Sequence, residues 1–498
     1  MRRIRHNDYG GLEPPAVGRW RPVKSVSVVI PAYDCQDDLD RTLVALAKQS
    51  YPAGLTEIVV ADDGSRPPLA APGARVVRVN EGWGRGAARQ TGALAATGEV
   101  IHWLDADMIL HEEHLEAHMR WHHVLDHAVV IGDTRFVEEL GEPGERTPYT
   151  EQKLQSTRML KDAGTGAYLL HTGASTSVPA ALLRAAGGVD VSLNMAEDTE
   201  LGYRLAQAGA VFIPEPLARG WHVGASTVMT REKEVHRHNW SFLGDFLPQL
   251  RWLRSHPRRQ WRVPYVRVVT EAAGYERTRA TVDAALAGTV PDVAVTVVGP
   301  WDTLTEGRRS SLDDPRLDLR LLRNLYTHEP RVSFAVRQPA SVFPAPFALR
   351  VPPGWVPGAD TLARLVKTAE DDLLGLVSIA LAETRDGVAA ARLERTAAFS
   401  RAAFHNGEPD DLVDELFGVL WVSGAEYGFV PEEDKEPLAG DAAKWRALAA
   451  SRAAEVKKLS AEVERLRAEL AAPKESEPEP DKGGGKLSAL VRQLRSPS

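Results

Sequence analysis

The sequence predicts an α/β protein built on a mainly parallel sheet, and two observations predict it. Short apolar runs alternate with helix-periodic segments from about residue 25 to residue 110, the pattern of strands joined by crossover helices. Polar clusters follow three of those runs: Pro31-Ala32-Tyr33, Asp62-Asp63 and Asp105-Ala106-Asp107. In open α/β sheets ligands bind at the carboxyl ends of strands, so the clusters point to one shared rim.

The elements follow in order. Residues 1–24 read as a charged lead-in containing Pro and Gly. Ser25 to Ile30 reads as a buried strand stopped by Pro31. A helix follows from about Gln36, with Leu39, Leu43 and Leu46 on one face and Asp37, Asp38 and Asp40 near its start. Glu57–Val60 and Arg75–Val79 are the second and third strands. A helix of small residues from about Gly84 to Thr97 leads to the fourth strand, Val100–Leu104, and the paired aspartates. His111, His114, His118 and His122 lie roughly along one helix face. They lack the His-Glu-X-X-His order of zinc proteases and read as a solvated face. This first module spans residues 25–255.

A second module, residues 262–430, echoes the first. Val266–Val269 is strand-like, a helix carries Val282 and Leu286, and a strand over residues 292–298 ends in Gly299-Pro300-Trp301-Asp302. Leu317–Leu321 and Phe347–Val351 read as further strands. At the place of the aspartate pair stands Arg350-Val351-Pro352-Pro353. The module is either a degenerate copy that has lost its carboxylates or an unrelated α/β domain.

From about Asp441 the composition turns to Ala, Glu, Lys, Leu and Arg. Val456, Leu459, Val463, Leu466 and Leu470 form a short heptad seam, interrupted upstream by Arg452. Over 441–472 the readings are a coiled coil that makes a homodimer, or a helix packed on its own chain. Residues 473–498 combine a linker rich in Pro, Glu and Gly with a basic amphipathic tail, suited to an anionic membrane surface or to a frayed end.

Bulk properties narrow the classes. A net charge of −8 argues against nucleic-acid binding by bulk charge. The single cysteine, Cys35, excludes a disulfide framework within one chain and fits a reducing compartment. The basic start, Met1-Arg2-Arg3-Ile4-Arg5, is followed by no apolar signal core, and no apolar run approaches the roughly 20 residues of a membrane span. The expectation is a cytoplasmic protein, peripheral at the inner face of a membrane if the tail is a membrane contact rather than a frayed end.

Paired carboxylates at a strand end make a compact hard-oxygen site suited to Mg²⁺ or Mn²⁺ on phosphate oxygens. Val28–Tyr33, Ala61–Ser65, Leu104–Met108 and Ala196–Leu205 occur in that order. With this ordered set the sequence resembles the family 2 glycosyltransferases, inverting enzymes with a GT-A (Rossmann-like) fold. The likeness is to bacterial glycan-synthesising members with a galactosyltransferase-like C-terminal segment. It covers about residues 25 to 230. Thr172–Pro179 and Ala186–Asp190 look like the family's donor-loop and Gly-Gly segments.

The resemblance implies a nucleotide-sugar donor, a UDP-sugar first, and a glycan, lipid-linked or small-molecule acceptor. It implies that Asp107 ligates the metal, and that Asp105 contacts the ribose or a metal-bound water. Asp198 then takes the acceptor's proton while Glu197 orients the acceptor. Asp62 or Asp63 can accept from the base edge, with Asp63 favoured by the resemblance, Tyr33 flanking the base and Pro31-Ala32 allowing close backbone approach. Arg85 and Arg89, one helical turn apart, can pair with phosphate. His222 stands where some members place a third metal ligand. The competing readings are turn and cap chemistry for the acidic residues and a solvated face for the arginines.

Other classes fit less well. A nucleotidyltransferase would carry a Gly-rich loop with a lysine after the first strand, where this chain has Pro31-Ala32-Tyr33-Asp34. Asp107, Asp198 and His222 weigh against a non-catalytic nucleotide-sugar-binding scaffold. The missing carboxylates near Val351 weigh against a bifunctional polysaccharide synthase using both modules.

Overall fold

The computed structural model describes residues 2–434, apart from residues 140, 255, 257, 258 and 386, together with Arg465. The expected helix over 441–472, Arg465 apart, and the linker and tail over 473–498 lie outside the described residues. Met1–Asp434 is one compact unit holding two large sheets.

The first sheet comprises β1 (Val26–Ala32), β2 (Thr56–Asp62), β3 (Arg75–Arg78), β4 (Val100–Leu104), β5 (Met108–Leu110), β6 (Ala128–Val137), β7 (Ser175–Pro179) and β8 (Val211–Val223), in the order β3-β2-β1-β4-β7-β6-β8-β5. The strands β3, β2, β1 and β4 run parallel, β7 runs against both its neighbours, and β6 and β8 are parallel. The helices are α1 (Gln36–Leu46), α2 (Gly84–Ala95), α3 (His114–His122), α4 (Pro148–Ser156), α5 (Ala180–Ala185) and α6 (Glu197–Gln207). Successive residues of one strand feed opposite cores. Val29 packs with Val59, Ile101 and Trp103, while Val28 and Ile30 pack with Leu39, Val60 and Leu115. That two-sided burial is why these strands read as continuous apolar runs. Because β1, β2 and β4 are parallel, their carboxyl ends and the three polar clusters share one rim.

The second sheet comprises β9 (Val266–Glu271), β10 (Val293–Val298), β11 (Val332–Ala335), β12 (Phe347–Arg350), β14 (Leu376–Thr384), β15 (Gly387–Arg395) and β16 (Val419–Ser423), in the order β11-β10-β9-β12-β15-β14-β16. A separate antiparallel pair joins β13 (Trp355–Pro357) to β17 (Phe429–Pro431). Strand for strand, the order and the parallel and antiparallel senses repeat those of β3-β2-β1-β4-β7-β6-β8. At the end of β12, Arg350 is held by Glu394 at 2.8 Å and by Gln338 at 3.2 Å. The halves are joined by Arg251 and Arg254, which both pair with buried Asp292, and by Arg401, which donates to the Gly209 and Ala210 carbonyls.

Four readings need correction. Pro31 does not end the first strand, which runs on to Ala32 with Pro31 opposite Ala61. Proline is tolerated there because it stands near the strand's end. Leu317–Leu321 is not a strand but the start of a helix, Leu317–Tyr326. Leu319, Leu322 and Tyr326 face the core at helical spacing, a period hidden in a five-residue window. The lead-in is part of the core, since Ile4, Tyr9 and Leu12 pack with Trp121, Val130 and Ile213. The histidine face of α3 is not solvated. His114, His118 and His122 are buried against the sheet, and burial holds His114 at about 4 and His122 at about 3, so both are neutral. Histidine is polar enough to read as surface, yet packs inside when its ring nitrogens find partners. Among the described residues no helix is long and apolar enough to cross a membrane.

Candidate functional site

The rim brings Asp105, Asp107 and His222 together. Asp105 and Asp107 follow β4, and the pairing of β5 with β8 sets Met108 opposite His222. One ligand atom from each of the three lies within 4.8 Å of the others. His222 Nε2 stands 3.4 Å from Asp107 Oδ2. Among the described residues, buried Asp107 Oδ1 and His222 Nδ1 have no hydrogen-bond partner, an imbalance that a bound cation relieves. Two carboxylates and an imidazole fit Mn²⁺ well and Mg²⁺ less well. Burial raises the Asp107 carboxyl above its ordinary range; Asp105 adds to the rise and His222 opposes it.

Arg89 connects this cluster to α6. Its guanidinium is buried; Nη2 donates to Asp105 Oδ1 at 2.8 Å and Nη1 donates to Glu197 Oε1. Arg89 therefore faces inward, engaged by two carboxylates, whereas Arg85 in the first turn of α2 is exposed. Glu197 is buried, and burial raises its carboxyl against the pull of Arg89.

Asp198 is partly exposed beside it. Its Oδ1 accepts from the Thr199 N–H at 2.7 Å and its Oδ2 from the Gly173 N–H at 3.4 Å. The neighbouring Ala174 carbonyl accepts from the Asp105 N–H at 3.3 Å. One loop thus ties the aspartate pair to the start of α6. Ala196, just before that helix, has a left-handed backbone with φ +62°, a strained conformation for a residue with a side chain. Glu200 is a structural residue: it pairs with Arg204, which donates to the Ala186 and Gly188 carbonyls.

At the ends of β1 and β2 the roles separate. Asp62 is buried and fully used, accepting from the Ser65 and Leu69 N–H groups and pairing with Arg78 at 2.6 Å. Burial works to raise its carboxyl, but those partners bring it below the ordinary range. Asp63 is more open; it accepts from the Gly84 N–H at 2.6 Å, and burial raises it. Tyr33 is 61% exposed, so its ring is free to meet a planar ligand. Pro31 is partly exposed and Ala32 is buried.

Three residues were not singled out as site residues by the sequence, although Gly173 lies within the segment Thr172–Pro179. Gly173 leaves room for the Arg89 guanidinium, which a β-carbon there would overlap. His171 is buried, its Nδ1 meets the Asp198 carbonyl at 2.7 Å, and burial lowers it to about 4 against the opposing effect of Asp198. Asp34, at φ +47°, caps the neighbouring loop by accepting from the Arg66 N–H at 3.0 Å. Local sequence offers no way to see contacts between such distant segments. A cavity of about 200 Å³ opens beside the loop, walled by Asp133, Arg146, Tyr149, His171, Thr172 and Ala174.

Residues 27–180 match the family described as Glycosyl transferase family 2. A pre-mycofactocin glycosyltransferase of Mycobacterium tuberculosis is 31% identical over 208 residues, covering 39% of this chain and 42% of that protein. The glycosyltransferase AglE of Haloferax volcanii is 31% identical over 100 residues, covering 18% of this chain and 33% of that protein. The chain thus spans less than half the length of these curated relatives. Among solved structures, S. aureus TarS matches at a TM-score of 0.32 and 20% identity, over 44% of this chain and 39% of that one. The mannosyltransferase PcManGT from Pyrobaculum calidifontis, solved with GDP-Man and Mn²⁺, matches at 0.33 and 18% identity, over 47% and 65%.

Proposed function

We propose, from the premise that this chain carries a family 2 glycosyltransferase domain over residues 27–180, that the protein is an inverting, metal-dependent glycosyltransferase. It moves one sugar from a nucleotide-sugar donor, a UDP-sugar first, to an acceptor hydroxyl in glycan or cell-surface polysaccharide synthesis in the cytoplasm. The observation that carries this reading is the Arg89 bridge, which holds Asp105 of the cation-suited cluster against Glu197 beside Asp198.

Tyr33 flanks the base, Asp63 accepts from its edge, and Pro31-Ala32 lets the backbone come close. Asp105 contacts the ribose, and exposed Arg85 meets the diphosphate. Asp107, His222 and Asp105 would hold Mn²⁺ or Mg²⁺, which when bound neutralises charge on the departing nucleoside diphosphate. Asp198 takes the proton of the acceptor hydroxyl as its oxygen attacks the anomeric carbon from the far side, so the bond to the diphosphate breaks with inversion. Glu197 and Arg89 set the position of Asp105, and the cavity walled by Tyr149 and His171 receives the acceptor. The second sheet is a degenerate GT-A-like copy, supported by its repeated strand order, with Arg350 and its partner Glu394 where the aspartate pair would stand.

The test is a thermal-shift panel of nucleotide sugars with and without Mn²⁺, followed by turnover of the donor that raises the melting temperature. The expected result is one preferred donor whose binding and turnover need the cation and are lost in Asp107→Ala. Equal turnover by Asp107→Ala and the parent overturns the mechanism.

A further inference from the structure

A second cluster of metal-ligating side chains lies inside the first module, and nothing in the proposed transfer reaction uses it. His102 sits in the middle of β4, and His114 and His118 stand one turn apart on the face of α3 that packs against it. All three are buried, and one ring nitrogen from each lies within 4.8 Å of the others.

We propose that His102, His114 and His118 form a buried structural metal centre that takes a borderline-soft divalent cation, Zn²⁺ above all. His102 Nε2 and His114 Nε2 stand 3.3 Å apart. Two nitrogens at about 2.05 Å from a tetrahedral zinc ion are separated by about 3.3 Å, so this pair already spans one edge of the tetrahedron. Outer partners orient the rings as they do around metal-bound histidines. His114 Nδ1 meets the Arg219 carbonyl at 2.9 Å, which leaves Nε2 as the nitrogen with a lone pair. His118 Nδ1 meets Ser177 Oγ at 2.9 Å, and that hydroxyl is also 2.7 Å from His122 Nε2. Ser175 Oγ lies 3.2 Å from His114 Nε2 and 3.3 Å from His118 Nε2, where a fourth oxygen ligand would stand. Gly132 keeps that space open, because a β-carbon there would overlap Ser175 Oγ. A donor set of three imidazoles with no carboxylate separates this centre from the carboxylate cluster, which suits harder cations. Its role is to pin α3 to β4 and β7 beneath the strand end that carries Asp105.

The experiment is metal analysis of the untagged full chain, purified without added metal and dialysed against a weak chelator. One Zn²⁺ per chain is expected, kept in the Asp107→Ala, His222→Ala double variant and lost in His118→Asn. Should His118→Asn not fold, chain refolded with Co²⁺ in the Asp107→Ala, His222→Ala background decides: intense tetrahedral Co²⁺ bands in the visible support the centre. Metal-free native protein that refolds without such bands overturns it. An ion that disappears with Asp107 and His222 also overturns it, and neither result touches the transferase reading.

Discussion

Gly173 lies against the guanidinium of Arg89 so closely that a β-carbon at that position would overlap Cζ, Nη2 and Nε. The absent side chain lets a buried cation sit between Asp105 and Glu197. Gly173→Ala should push Arg89 off both carboxylates, lower kcat on the order of 100-fold by misplacing them and destabilise the fold by about 1–3 kcal/mol through overpacking. Steady-state kinetics and urea unfolding measure both effects. Parent-like kinetics would show that the bridge does not position the site.

Asp198 is expected to act in the proton transfer and not in donor binding. Asp198→Asn keeps the shape and the hydrogen-bond acceptor for Thr199, so kcat should fall by about 10²–10⁴-fold while the donor-induced thermal shift stays near that of the parent. A variant that loses the thermal shift but turns over normally when saturated would remove Asp198 from the role of base.

The neighbouring aspartates Asp62 and Asp63 should respond differently. Asp62→Ala strips the Ser65 and Leu69 N–H groups and Arg78 of their acceptor and should cost about 1–3 kcal/mol of stability. Asp63→Ala should leave the melting temperature nearly unchanged and raise the donor KM. The reverse pattern would reassign the base contact to Asp62.

His127 gives the fold an acid-sensitive point. It is buried and stacked on Phe404 at 4.6 Å, and among the described residues neither ring nitrogen has a hydrogen-bond partner. Burial, with Arg401 and His405 adding to it, lowers it from 6.5 to about 3. As pH falls below 6.5 the unfolded chain binds this proton first, so the contribution is complete above that pH and declines toward pH 3. At pH 5 the loss from this one group is about 2 kcal/mol. His127→Leu should make stability fall less steeply between pH 6.5 and 5 in denaturant titrations, and an unchanged slope would place the acid sensitivity elsewhere.

The positions of most site residues along the chain were legible because they stand at a strand end or in the first turn of a helix. Periodicity marks such places, as with Asp105 after Val100–Leu104 and Asp198 at the start of α6. The inward turn of Arg89 was not legible. An arginine one turn from Arg85 on a helix of small residues looks solvated until Glu197, 108 residues away, closes on it. The histidines of α3 were misread for the same reason: their partners Ser175, Ser177 and the Arg219 carbonyl arrive from remote strands. Leu317–Leu321 was misread because five alternating residues satisfy both periods, and only the later Leu322 and Tyr326 complete the helical face.

The sequence by itself determined the α/β class, the first four strands of the first module with the helices from about Gln36 and over Gly84 to Thr97, and which residue types gather at the rim, since these follow from local propensity and hydrophobic period. The tertiary structure alone decided which of those polar groups point into the site and which into the interior, and that the second sheet repeats the strand order of the first. Burial, charge pairing and strand register depend on atoms brought together across hundreds of residues, and local pattern carries no record of those meetings.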